Sequence, residues 1–340
     1  MMYKRLVILM VIAVCFGFAF NSYGETKKSK VIEWKAQTLF PPADTGTVVQ
    51  AQGIVKLTNK ALEGKLHTTL YQAGQLAPEA VMSDALSRGV LDAALTVPLI
   101  RSQAGTVAFG MPFGWENIDQ MMEFYYDYGF LDFMRKIDKK KNVFFAAPMP
   151  FGPVVLFTKF PVNKIEDMKG KKIWAEGPTA AIVKALGAEP VWFDPGEIYM
   201  GLKLGTVDGI YFSLAELETS KLKEVVKYVI FPAPIDPLVE DWIINLESWN
   251  ELTPETQQIY EKTLKDNIVG FYNEVAIRDQ KGLEAAKKYG VQVITLQGEE
   301  LKKFKTACSS VWDHVASSDK QSAQAVKLLK DYLSSKGITK

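Results

Sequence analysis

The chain is poor in the residues that most often do chemistry. Its 340 residues include two cysteines and two histidines. That excludes a disulfide-stapled scaffold and any multi-cysteine zinc or iron–sulfur site. His67 and His314 stand alone in separate elements, and His67 reads as a packed or surface residue of a strand. Excess charge is missing too. Forty Lys+Arg against 39 Asp+Glu give a formal +1, which offers no broad field to capture nucleic acid or an anionic membrane. Beyond Phe20 no apolar run approaches the ~20 residues of a membrane-spanning helix. There is no dinucleotide fingerprint, phosphate-binding loop, nucleophile elbow, zincin motif or paired-cysteine motif. No two carboxylates are spaced so as to demand general acid–base work. These absences point away from an enzyme, and no cofactor and no metal is expected.

What is present is an ordinary globular balance, 48% hydrophobic and 23% charged, on a chain long enough for two domains of moderate size. Residues 1–5 carry two cations, residues 6–20 are almost wholly apolar, and Ser22 and Gly24 frame a small-x-small site. A basic start, a short apolar run and such a site make a secretory signal peptide. Residues 1–24 are therefore expected to be cleaved, with export to a periplasm. Cys15 lies inside that run, which leaves Cys308 as a lone thiol on an expected helix, where packing is its usual role.

Strand and helix patterns alternate along the chain, the texture of an α/β protein. Strands are expected at 31–38, 65–71, 91–97, 154–158 and 172–174, with helices near 45–62 and 78–87 and from about 179. One stretch returns: Ala85-Leu-Ser-Arg-Gly89-Val-Leu-Asp92-Ala is echoed by Gly201-Leu-Lys-Leu-Gly205-Thr-Val-Asp208-Gly. Leucine, glycine, an apolar residue and aspartate keep their offsets, each glycine suiting the left-handed position that ends a helix. Two related lobes explain the echo; so does chance likeness between two common helix–turn–strand units. Thr253, Pro254 and Glu255 make a helix start. Tyr260, Leu264, Ile268, Phe271 and Val275 then recur every three or four residues. The pattern runs to Tyr289, with Gly290 beyond, and predicts a helix of about 55 Å. Such a helix can lie across two lobes unless Gly270 or Gly282 breaks it. Glu240-Asp241, in the Pro-rich crossing 232–242, reads as a solvated loop, and the lysine-rich segment 136–141 as a solvated surface.

Several motifs, in this order and spacing, resemble one family. They are Tyr71-Gln-Ala-Gly-Gln-Leu76, Gly89-Val-Leu-Asp92, Met111-Pro-Phe113, Ile165-Glu-Asp-Met-Lys-Gly-Lys-Lys-Ile173, Glu197-Ile-Tyr-Met-Gly-Leu-Lys-Leu-Gly-Thr-Val-Asp-Gly209, Asn245-Leu-Glu-Ser-Trp249 and Leu252-Thr-Pro254. From about residue 31 to residue 297 the chain resembles the solute-binding subunits of tripartite ATP-independent periplasmic (TRAP) transporters. The resemblance implies two α/β lobes in a periplasmic-binding-protein architecture, a ligand in the central cleft and a long helix bridging both lobes. It implies lobe 1 from 25–150 plus about 240–265, and lobe 2 from 151–239 plus part of about 266–300. A C-terminal helical segment, 301–340, follows. It also implies delivery of solute to membrane subunits driven by an ion gradient.

The sequence departs from that family where the ligand's charge is usually held. The family's arginine after Lys-Gly-x-Lys-Ile is Trp174 here, a polar group of the preceding strand aligns with Val154, and a usual Glu-Asn is Tyr211-Phe212. A guanidinium grips a carboxylate in a bidentate way that no other side chain reproduces. Its loss disfavours a compact dicarboxylate, while Trp174 and Phe212 can stack on a flat or apolar body. The expected solute is a small organic acid, aromatic or otherwise less polar than a four-carbon dicarboxylate. The expected site comprises Trp174, Phe212, Tyr211 and Val154, with Phe40 and Val97 at strand ends. Arg101 is the remaining candidate for a carboxylate anchor. Asp241 is included because some relatives place an acidic residue near it against a metal-bridged ligand. Two alternatives stay open: a receptor that feeds a sensor protein, and binding of a 2-oxo acid or short dicarboxylate by a non-standard anchor.

Overall fold

Two sheets gather the strands of the computed structural model, which describes residues 30–338. The expected signal peptide lies outside the described residues. The first sheet has five strands, ordered β2 (Leu66–Tyr71), β1 (Ile32–Thr38), β3 (Ala93–Thr96), β10 (Val239–Asn245) and β4 (Val143–Pro150). The second has six: β11 (Gln292–Thr295), β9 (Tyr228–Ile235), β5 (Val154–Thr158), β8 (Gly209–Ser213), β6 (Lys172–Trp174) and β7 (Glu189–Val191). Both follow one plan. Strands β2-β1-β3 are parallel and β10 joins them antiparallel; strands β7-β6-β8 are parallel and β5 joins them antiparallel.

The sequence echo falls at the same place in each plan. Asp92 Oδ2 accepts the Lys35 N–H at 2.7 Å and Asp208 Oδ2 accepts the Lys172 N–H at 2.9 Å. Each aspartate's own N–H donates to the carbonyl of that same lysine. Gly89 and Gly205 take φ of +73° and +82°, the left-handed turn that lets the chain leave a helix and enter the strand. The echo is thus one structural device used twice.

The chain passes between lobes from β4 to β5 and again from β9 to β10. These passages lie side by side: the Phe151 N–H donates to Leu238 O at 2.6 Å and the Leu238 N–H to Gly152 O at 3.2 Å. A third connection is the helix Pro254–Tyr289, 36 residues without a break. Thr253 Oγ1 accepts the Thr256 N–H and Gly290 ends the helix at φ +107°. Gly270 faces open space, but Gly282 is needed for contact: a Cβ there falls 2.2 Å from Leu214 O of the second lobe. In the first lobe Gly53 plays that part, since its Cβ falls 2.4 Å from Phe271 of the long helix. The helix also sends the buried Asp279 under the end of β8, where Oδ1 accepts from Ser213 Oγ at 3.1 Å and the Ala215 N–H at 2.8 Å.

Two further helices close the chain: Gly298–Ala316 packs on the second lobe, where Glu300 accepts the Ile165 N–H, and Lys320–Ser335 returns to the first. Trp312 Nε1 donates to Pro112 O at 3.0 Å, and the Tyr332 hydroxyl donates to Gln120 O at 3.1 Å beside Phe124. Cys308 is buried in this packing. His67 and His314 are exposed. Among the described residues no helix is long and apolar enough to cross a membrane.

Two readings of the sequence need correction. Glu240 and Asp241 are not in a solvated loop but in strand β10, 3% and 0% exposed. The solvated segment 136–141 is only partly so: its lysines are exposed, while Ile137 and Asp138 are buried because they lie on the inner face of the helix Phe130–Asp138.

Candidate functional site

A cavity of about 630 Å³ opens between the lobes, and an inner pocket of about 90 Å³ continues from it. The size suits a small molecule. The position follows from topology: loops beyond the carboxyl ends of parallel strands meet there, as in other open α/β sheets. Phe40 and Val97 arrive just after β1 and β3, and Trp174 and Phe212 at the ends of β6 and β8.

Six of the eight expected residues line this space: Phe40, Val97, Trp174 and Phe212 throughout, Val154 and Tyr211 in the inner pocket. Trp174 is 1% exposed, its Nε1 donates to Phe193 O at 2.9 Å, and it meets the half-buried Phe212 edge-on at 5.7 Å. Trp174 therefore braces Phe212, which is the more open ring. Tyr211, 2% exposed, also lines the inner pocket.

Arg101 and Asp241 line neither space. They lie inside the first lobe, where Arg101 Nη2 donates to Asp241 Oδ2 at 2.5 Å and to Asp138 Oδ2 at 2.9 Å. Thr96 Oγ1 completes the group, 3.1 Å from Arg101 Nη1 and 2.5 Å from Asp241 Oδ1. The only arginine read as an anchor is thus engaged internally. The reason for Asp241 is the period of two in a strand: Asp241 points into the lobe, and its neighbour Glu240 reaches the inner pocket.

Acidic residues that the sequence reading passed over face the cavity instead. Asp44, Glu176, Glu216 and Glu240 all reach its inner pocket, while Glu79 and Asp194 lie nearer its mouth. Among the described residues lining both spaces there is no lysine, arginine or histidine. Asp44 comes from the loop after β1, and its Oδ1 accepts the Gly46 N–H at 2.7 Å. Glu216 comes from the turn after β8; its Oε2 accepts from the Ser220 hydroxyl, and its Oε1 is buried without a hydrogen-bond partner. Glu240 Oε2 is also buried and unpartnered. Burial first, and then the neighbouring Glu216 carboxylate, push the Asp44 carboxyl up to about 7. Burial, then Asp44 and Asp241, raise Glu240. Glu176 caps the helix Gly177–Ala185 and is pushed up to about 7 by burial and then by Glu79. Among the described residues no three or more histidine, cysteine or acidic side chains are placed to hold a metal ion. A signal for these acids was available: Asp44, Glu176 and Glu216 each follow, within a few residues, a strand end already assigned to the cleft.

Residues 40–319 match the family described as DctP, bacterial extracellular solute-binding protein, family 7. The chain belongs to this family, the solute-binding subunits of TRAP transporters. It is 24% identical over 294 residues to a monocarboxylate 2-oxoacid-binding periplasmic protein of Nostoc sp., covering 85% of this chain and 80% of that one. A TRAP periplasmic solute-binding protein of Colwellia psychrerythraea with bound calcium and pyruvate matches with a TM-score of 0.82 and 18% identity, over 91% of this chain and 96% of that one. One from Chromohalobacter salexigens with bound (S)-(+)-2-amino-1-propanol matches with a TM-score of 0.77 and 21% identity, over 90% and 96%. The two-lobed α/β architecture is therefore shared.

Proposed function

We propose that this protein is an extracytoplasmic receptor that closes on a small organic solute and hands it to the membrane subunits of a TRAP-type secondary transporter. The observation that carries the reading is the cavity itself, set between two lobes of like plan that are joined by adjacent strand crossings and one rigid helix. That arrangement suits hinge closure. The signal-peptide pattern of residues 1–24 supports a periplasmic location. The Nostoc and Colwellia proteins support a small organic acid as the broad class of solute. The half-open Phe212 ring, braced by Trp174, supports a solute with an apolar or flat body. The lobe boundaries follow the sheets: residues through β4 with β10 in lobe 1, and β5–β9 with β11 in lobe 2.

Small-angle scattering tests this directly. Addition of a solute found by thermal-shift screening should reduce the radius of gyration, and an unchanged value would count against hinge closure. Phe212→Ala should weaken that solute by about 1–3 kcal/mol if the ring stacks on it, by analogy with base–aromatic contacts. Calorimetry reads the change, and equal affinity removes Phe212 from the site.

A further inference from the structure

The charge of the cleft says more about its solute, on the premise that the protein is the receptor proposed above. Six carboxylates face the cavity and no cationic side chain among the described residues does. Three of those in the inner pocket come from both sides of the cleft: Asp44 and Glu240 belong to the lobe of β1 and β10, Glu216 to the lobe of β8. Burial, and then the nearby Glu216 charge, hold the Asp44 carboxyl up to about 7. Bringing such groups together as lobes close is unfavourable unless a positive charge separates them. Among the described residues lining the space none supplies one, and Arg101 is committed to Asp138 and Asp241.

Two carboxylate oxygens here are free acceptors. Glu216 Oε1 and Glu240 Oε2 are buried with no hydrogen-bond partner, on side chains 3% exposed. A buried acceptor left unmade is costly. Gly46 preserves the arrangement: a Cβ at this position falls 2.9 Å from Glu240 Oε2 and 3.1 Å from Asp44 Oδ1. Any larger residue would press on Glu240, Asp44 and Phe40 together.

We propose that the solute brings a positive group of its own, an ammonium or amidinium, into the space between Asp44 and Glu216, beside Glu240. Its N–H groups donate to the two free oxygens, and its body lies against Phe40 and Phe212, whose ring faces favour a cation. The acids are not set as a metal cage, which selects an organic cation over a bare ion. A solute that is also an acid is then a zwitterion. Because acids of both lobes share the charge, its arrival converts a repulsion across the cleft into an attraction, and binding favours the closed state.

The test uses matched probes that differ in charge: benzylamine, benzyl alcohol and benzoate, with 2-amino-1-propanol, 1,2-propanediol and pyruvate, each with and without calcium. Titration calorimetry on the purified protein should show binding by amines alone. For the binding amine, Glu216→Gln and Asp44→Asn should each weaken affinity at least tenfold. Affinity should rise from pH 5.5 to 8 as Asp44, faced by Glu216 and Glu240 and held up to about 7, gives up its proton. Gly46→Ala should weaken the amine as well, with Phe212→Ala as an independent check that the probe sits in this cleft. Binding by benzoate or pyruvate alone, or only with calcium, overturns the cationic solute and leaves the receptor reading standing. Binding by an amine that ignores both acidic substitutions overturns the placement. No binding by any probe, and no organic molecule released from denatured protein by mass spectrometry, overturns both.

Discussion

Glu240 and Asp241 are neighbours on one strand and belong to opposite kinds of acid cluster. Asp241 faces into its lobe, where Arg101 and Thr96 neutralise and bond it. Glu240 faces the cleft, where its companions are Asp44 and Glu216 and one of its oxygens has no partner. Both clusters are buried, and both pair carboxylates at close range. The difference is the cation. Inside the lobe the protein carries its own, and the charges serve the fold; even there Arg101 Nε and Asp138 Oδ1 are left without partners. Across the cleft no cationic side chain among the described residues lines the space, and those acids stand at a cost that a positively charged solute would relieve. A buried acid set with its counter-ion reads as structure, and one without reads as a site.

The comparison breaks most sharply at Arg101. Arg101→Met should strand Asp138 and Asp241 and cost about 3–5 kcal/mol, read as a lower urea midpoint. A loss under 1 kcal/mol would mean that the internal cluster is not charge-compensated as described. Thr96→Val keeps the ion pairs and removes two hydrogen bonds to charged groups, one given to Asp241 and one received from Arg101, at about 1.5–3 kcal/mol, since the two charged groups still hold each other. The cleft acids should respond with the other sign. The Asp44 carboxyl, raised from 3.8 to about 7, binds a proton in the folded state that the unfolded state releases earlier. Its contribution is present in full below pH 4 and is lost as pH rises toward about 7. The solute-free protein should therefore lose stability over that window, and Asp44→Asn should flatten the slope, gaining on the order of 1 kcal/mol at pH 8 after discounting for partial exposure. Thermal melts of the two proteins at pH 4.5 and 8 decide it; parallel slopes would detach Asp44 from the effect. The smallest change is expected at the mouth, where Glu79→Gln on an exposed site should stay within about 0.5 kcal/mol.

Much of the fold was legible in the residues. The long helix was bounded by Thr253 and Gly290 because capping is local chemistry, written within a few residues of each end. Strands β5 and β6 were read to the residue from short apolar runs. The echo at Asp92 and Asp208 could be seen but not interpreted, since its meaning depends on which strand lies alongside. The strand ends that line the cleft were identified with their aromatic residues, and the acids just beyond them were not. Carboxylates on loops are common, and a sequence carries no sign that two of them, 172 positions apart, will meet.

By itself the sequence determined the periodicities, caps and turns, and with them an α/β chain of the DctP family with a 36-residue helix. Those follow from interactions within one turn or one strand. The tertiary structure decided which charges meet. It paired Arg101 with two acids of its own lobe and brought Asp44 against Glu216 from the other. Coulomb energy depends on distance and burial, and both are set only when the sheets have packed.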